Sequence, residues 1–198
     1  MKFYDWRMDA IRDGRGFHVT VGSFSDPIVG GGAGGAIDLD LPEVLISVPD
    51  GTSIIPIRID IQCQVPLIAT DADESEIVIG FDKDAAWDTT GTSTEETAVN
   101  MRTTHTATSL CSCESAFNAV NITTAPAVDY ELARAVTIGN LEATNDSSRF
   151  TELKCLYEPL TPVIADGPCM LLVYWGGTVD TSGFAQIEWL EYPTTYFT

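Results

Sequence analysis

Beside its 29 Asp and Glu, the residues of this 198-residue chain that can do chemistry are few: two histidines and five cysteines. Nucleophilic catalysis needs a base beside a serine or cysteine. Only His18 and His105 are available as that base, and no Gly-x-Ser-x-Gly elbow occurs. His18 falls on the outward side of the alternating stretch "FHVTVGSF" and is expected to face solvent. His105 lies in a run of threonines, which suits a polar sheet face or a loop. Cys63 sits among apolar alternating residues, where a small buried thiol is the ordinary explanation. Cys111 and Cys113 form a C-x-C too tight for zinc-knuckle spacing and without a second Cys or His pair. With Cys155 and Cys169 they make an odd set, expected to be reduced and structural.

Paired carboxylates can hydrolyse glycosides on a β-sandwich. Glu188 and Glu191 flank Trp189, and Trp175 and Tyr192 offer further stacking surface. The same aromatics equally fill a core or a subunit contact. Asp71, Asp73, Glu74 and Glu76 could hold calcium, but their spacing misses the EF-hand pattern, so a solvated acidic loop is the expectation. The glycine-rich run at 30–35 lacks the Lys-Ser/Thr of a P-loop and the helix that a dinucleotide fingerprint opens. It reads as a flexible loop or a place of close backbone approach. Asn121 and Asn145 head glycosylation sequons, which carry little meaning without a secretory signal. No catalytic residue, cofactor or metal ligand is assigned.

The elements that would position these groups are strands. In "ISVPDGTSIIPIRIDIQCQVP", Ile55, Ile57, Ile59, Ile61, Cys63 and Val65 alternate with Pro56, Arg58, Asp60, Gln62 and Gln64. That period of two predicts one long strand with a single buried face. "FHVTVGSF", "IDLDLPEVLISVP", "IVIGF", "RFTELKCLYEPL" and "FAQIEWLEYP" read as further strands. "CMLLVYW" is a continuous apolar run, as expected of a central strand buried on both faces. Residues 88–97 read as a polar connection, 99–115 as one or two β segments, and 130–142 as either the one short helix or a strand. Roughly eight to ten strands with turns rich in Gly, Pro, Asp and Thr predict two packed antiparallel sheets or a barrel. Long connections at 82–98 and 114–128 favour Greek-key crossovers.

Hydrophobic content of 44% is ample for a core. No apolar run approaches the length needed to span a bilayer, and the first residues have no signal-peptide core. Net charge is −19, yet residues 1–15 sum to +1, leaving −20 on the other 183. Such a body repels phosphate backbones, so direct nucleic-acid binding is not expected.

The span from "ISVPDGTSIIPIRIDIQ" to "YWGGTVDTSGFAQIEWLEYP" resembles single jelly-roll coat proteins of icosahedral viruses and bacteriophages. The resemblance rests on the Pro-Asp-Gly turn into a long early strand, the Thr/Ser/Gly-rich loops and the closing "AQIEWLEYP" strand. It implies an antiparallel β-sandwich of jelly-roll topology over residues 17–198, with residues 1–16 as an arm or docking segment. It also implies a non-catalytic virion subunit, assembled in the host cytoplasm, whose partners are itself and other capsid subunits. The arm is near-neutral and aromatic (Phe3, Tyr4, Trp6, Met8, Ile11), not strongly basic. That departure suits docking on a neighbour, an internal membrane or inner shell, or a decorating role on a preformed capsid; packing on its own domain is an equal expectation. The rival readings are a lectin-like module using Trp189 or Tyr192 and, last, a β-sandwich hydrolase.

Overall fold

The computed structural model describes residues 5–30, 37–66, 75–84, 92–118, 126–137, 150–177 and 180–197. A short helix, α1 (Trp6–Arg12), comes first. Then follow β1 (Gly16–Val21), β2 (Ile28–Val29), β3 (Val44–Val48), β4 (Thr52–Pro66), β5 (Ser75–Asp82), β6 (Thr92–Glu96) and β7 (Val99–Asn100). The rest are β8 (Ser112–Asn118), β9 (Tyr130–Thr137), β10 (Phe150–Tyr157), β11 (Ala165–Asp166), β12 (Cys169–Gly177) and β13 (Ser182–Pro193), closed by a 3-10 turn over Thr194–Tyr196. The protein is an all-β antiparallel sandwich. Sheet I has the order β10-β4-β13-β1-β7, with β11 on β4 and β2 on β13; sheet II has the order β6-β8-β3-β12-β5-β9.

The pairings nest. β1 pairs with β13, β3 with β12, β4 with β10 and β5 with β9. Three strands, β6 to β8, are inserted between β5 and β9 and widen both sheets at the β1/β3 side. Between the sheets lies the main core, in which Val19, Ile46, Ile59, Ile61, Ile79, Leu171, Trp175, Ile187 and Trp189 are all essentially inaccessible.

The long strand is real, but its isoleucines do not share one face. Trp189 pairs with Pro56 and Glu188 with Arg58, so Ile57 is an extra residue in β4. Proline cannot donate to a ladder and is tolerated at bulges, and a bulge reverses the side-chain alternation. Ile59, Ile61, Cys63 and Val65 therefore join Ile54 in the core. Ile55 and Ile57 instead form a cluster with Leu190 and Tyr192, under Ala10, Trp6 and Ile11 of α1. Burying one such side chain is worth about 1.5–3 kcal/mol. The cluster holds α1 on sheet I, with Asp5 as its N-cap accepting from the Arg7 backbone N–H at 3.0 Å.

Three other expectations change. Residues 92–96, within the expected polar connection, form β6; an edge strand exposed along most of its length shows no alternation. Within the expected long connections 82–98 and 114–128, β6 is one interruption and β8, reaching Asn118, the other. Residues 37–43 are not strand: Ile37 and Leu41 pack, with Val128, over a second apolar cluster of Leu45, Val78, Phe117, Met170, Leu172 and Tyr174. That cluster is the outer face of sheet II, so β12 is central and buried throughout, as its unbroken apolar run implies. The open choice at 130–142 resolves as strand over Tyr130–Thr137.

Candidate functional site

β13 carries most of the acid–aromatic group singled out from the sequence, and the fold sets Glu188 apart from Trp189 and Glu191. Ahead of the bulge Glu188 shares the outer side of sheet I with its partner Arg58, whereas Trp189 turns inward and is 0% exposed. Trp175, on β12, is equally enclosed, and its indole N–H donates to the Ile28 carbonyl at 3.2 Å. Neither tryptophan offers a face for a sugar to stack on. Tyr192 lies under the Arg15 guanidinium, 5.0 Å from its ring centre, and against Tyr196 and Phe197 at 4.8 and 5.4 Å.

Glu191 is buried, and three donors converge on it. Ser109 Oγ and Trp189 Nε1 reach Oε1 at 2.5 and 2.9 Å, and the Leu110 backbone N–H reaches Oε2 at 3.0 Å. A buried carboxylate needs such partners to offset its desolvation. The arrangement pins the loop between β7 and β8 to the last strand. Its signal in sequence is weak, because the partners lie more than 80 positions apart. Glu43 is a second buried carboxylate that sequence reasoning missed. It accepts the Trp175 backbone N–H at 2.7 Å, and its own backbone extends the β3 ladder to Val173 and Ala116.

The histidines stay apart from any nucleophile–base arrangement recorded among the described residues. His18 Nε2 lies 3.1 Å from Thr20 Oγ1 on the outer side of β1. His105 packs its ring against Gly14, which has φ 78°, and its Nδ1 accepts from the Ala107 backbone N–H at 3.1 Å. All five cysteines are free, buried and part of the inter-sheet core. Burial pushes every thiol up, Cys113 and Cys169 each to about 12, with nearby carboxylates adding to the effect. Thiols held in that form are poor nucleophiles and metal ligands.

Among the described residues no three His, Cys, Asp or Glu side chains gather as a metal site. Of the acidic stretch, Glu76 is described and pairs with Arg134, which also bridges Glu131 at 2.7 Å. Asp71, Asp73, Glu74 and both glycosylation sequons lie outside the described residues. In the glycine run, Gly30 shows the close approach: a Cβ there would collide with the Trp175 carbonyl, and its N–H donates to Thr181 at 2.8 Å. Arm residues Trp6 and Ile11 pack on the chain's own sheet while Met8 is exposed; Phe3 and Tyr4 are outside the described residues.

Among the described residues, the outer side of sheet I beyond α1 is left open. Asp60, Gln62 and Gln64 of β4, Glu152 and Lys154 of β10, and Gln186 and Glu188 of β13 line it, with the ion pairs Arg58–Asp60 at 3.0 Å and Lys154–Glu152 at 2.6 Å. The fold thus defines the class, an antiparallel β-sandwich whose acid–aromatic residues serve packing and loop anchoring. No protein-family model, curated protein or solved structure matches the chain.

Proposed function

We propose that the protein is a structural virion subunit, a coat protein that self-associates into an icosahedral shell and is built on a jelly roll. One observation carries the reading. Number the eight strands β1, β3, β4, β5, β9, β10, β12 and β13 in order; the first pairs with the last, the second with the seventh, the third with the sixth and the fourth with the fifth. A chain folded as one long antiparallel hairpin and then rolled into two sheets has that nesting, which is the double Greek key of viral capsid jelly rolls. Fold alone does not define function. What adds weight is where the chemistry-bearing residues go: Trp189, Glu191 and the thiols are all used to hold the tile together.

The near-neutral arm supports a shell over another layer, or attachment to a capsid already formed, more than genome contact. Electron microscopy of the purified chain, with and without calcium, tests the proposal. Closed particles or regular rings are the expected result. A dispersed monomer that binds an immobilised glycan would replace it with the lectin-like reading.

A further inference from the structure

The two ends of strand β1 differ in charge: one carries arginines interleaved with Asp9 and Asp13, and the other has carboxylates alone among its charged lining residues. At the Gly16 end stand Arg12 and Arg15, which lead into the strand, and Arg102, whose guanidinium donates to the Arg12 carbonyl. The chain's last residues return to the same end: Pro193 pairs with Thr52, and Leu190 with Gly16. There Tyr196 and Phe197 stack edge to face at 5.2 Å and remain 64% and 39% exposed, with the Arg15 guanidinium 5.9 Å from the Tyr196 ring. Arg12 is exposed and paired with Asp9 at 2.6 Å. This corner joins exposed aromatic area to guanidinium groups, the residue types favoured at the centres of protein interfaces.

At the Val21 end an open cleft of about 600 Å³ lies between the β1–β2 connection and the inserted strands β6 and β8. Asp26 and Glu96 supply charge to its lining, and Val29, Leu41 and Phe117 supply apolar surface. Val29 is 60% exposed, while Ser115 Oγ donates to Glu96 at 2.6 Å and holds that carboxylate at the wall. The charge is one-sided in sequence as well. No Lys or Arg occurs between Arg15 and Arg58, between Lys83 and Arg102, or between Arg102 and Arg134, the stretches from which the cleft is built.

We infer that the cleft is the docking site for a second copy of this chain, which inserts its Arg15–Tyr196–Phe197 corner. Cation and aromatic meet carboxylate and apolar surface, in a protein whose net charge of −19 otherwise opposes self-contact. Corner and cleft lie about 20 Å apart, the length of a six-residue strand. One rigid sandwich cannot join its own two ends, so the contact runs head to tail between copies. A head-to-tail contact propagates, closing into a ring or extending as a filament according to its rotation. This deepens the shell reading and rests on it.

Two variants test the contact, each altering side chains that are exposed or half-buried. Arg15→Ser with Tyr196→Ser damages the corner, and Asp26→Lys with Glu96→Lys damages the cleft. Circular dichroism checks that both fold, and Phe197→Ser replaces the corner variant if that one does not. Light scattering is expected to show large species for the wild type and 21.4 kDa monomers for each variant alone. An equimolar mixture of the variants is expected to give a pair of twice that mass and nothing larger, because one intact corner meets one intact cleft. Variants that assemble like the wild type overturn the contact and leave the shell reading standing. Monomeric variants whose mixture stays monomeric overturn the head-to-tail geometry. A wild type that is monomeric under all conditions overturns both readings.

Discussion

The two outer faces of the sandwich are finished in different ways. On sheet II the chain covers itself: residues 37–42 and Val128 lie over Leu45, Met170, Leu172 and Tyr174, and the Tyr174 hydroxyl donates to the Leu39 carbonyl at 3.0 Å. On sheet I, among the described residues, α1 covers one end and Phe24 and Pro27 edge the other. Beyond α1 the strands present glutamines, carboxylates and a few ion pairs to solvent. A sheet sealed on both sides needs apolar residues throughout, and β12 has them; a sheet with one wet side keeps strict alternation, as β4 does after its bulge. β4 therefore changes role along its length. Its first half is a three-layer structure with the helix, and its second half is an ordinary half-buried strand.

The largest expected contrast is chemical and concerns the interior that both faces enclose. At pH 8 a thiol reagent should find essentially none of the five cysteines in the native protein and all five in denaturant. The folded thiol pKa values are raised above the unfolded value, so their contribution to stability is fully present below about pH 9 and is lost as pH rises through the folded values, about 12 for Cys113 and Cys169. Alkaline unfolding followed by fluorescence checks the sign. Fast native labelling would mean that the core is more open than described.

Next in size is a direct comparison of the faces. Leu172→Ala, beneath the cover of sheet II, should cost about 2–5 kcal/mol. Gln62→Ala on the open half of sheet I should stay within about 0.5 kcal/mol. Denaturant unfolding of the two variants measures the difference, and equal costs would erase the distinction.

Glu191→Gln should cost about 1–3 kcal/mol, since an amide NH2 cannot accept from the groups now donating to both carboxylate oxygens. Hydrogen exchange at Leu110 should speed up accordingly; an unchanged rate would show that the loop is held by something else. The smallest effect belongs to the helix cap: Asp5→Ala should remove about 1 kcal/mol, read as a lower thermal midpoint. No shift would separate the stability of α1 from its cap.

Most of the sandwich was legible because burial on one side imprints a period of two, and burial on both sides an unbroken apolar run. β4, β12 and β13 were found on those grounds. What escaped has a common cause, structure set by distant partners. The extra residue at Ile57 is invisible without β13 beside it, although Pro56 was a local warning. β6 carries no alternation because almost all of it is exposed. The anchoring role of Glu191 depends on a loop far away in sequence, and nothing local shows that Glu188 faces outward while Trp189 and Glu191 turn inward and bond each other. Nested pairing is likewise a relation among strands and leaves no local trace.

The proposal that this sandwich is a self-assembling tile is tested most directly by the mass of the purified protein by light scattering across ionic strength, with and without calcium. Species many times 21.4 kDa are expected, with a salt dependence set by charged contacts. A single 21.4 kDa species under every condition would contradict the proposal.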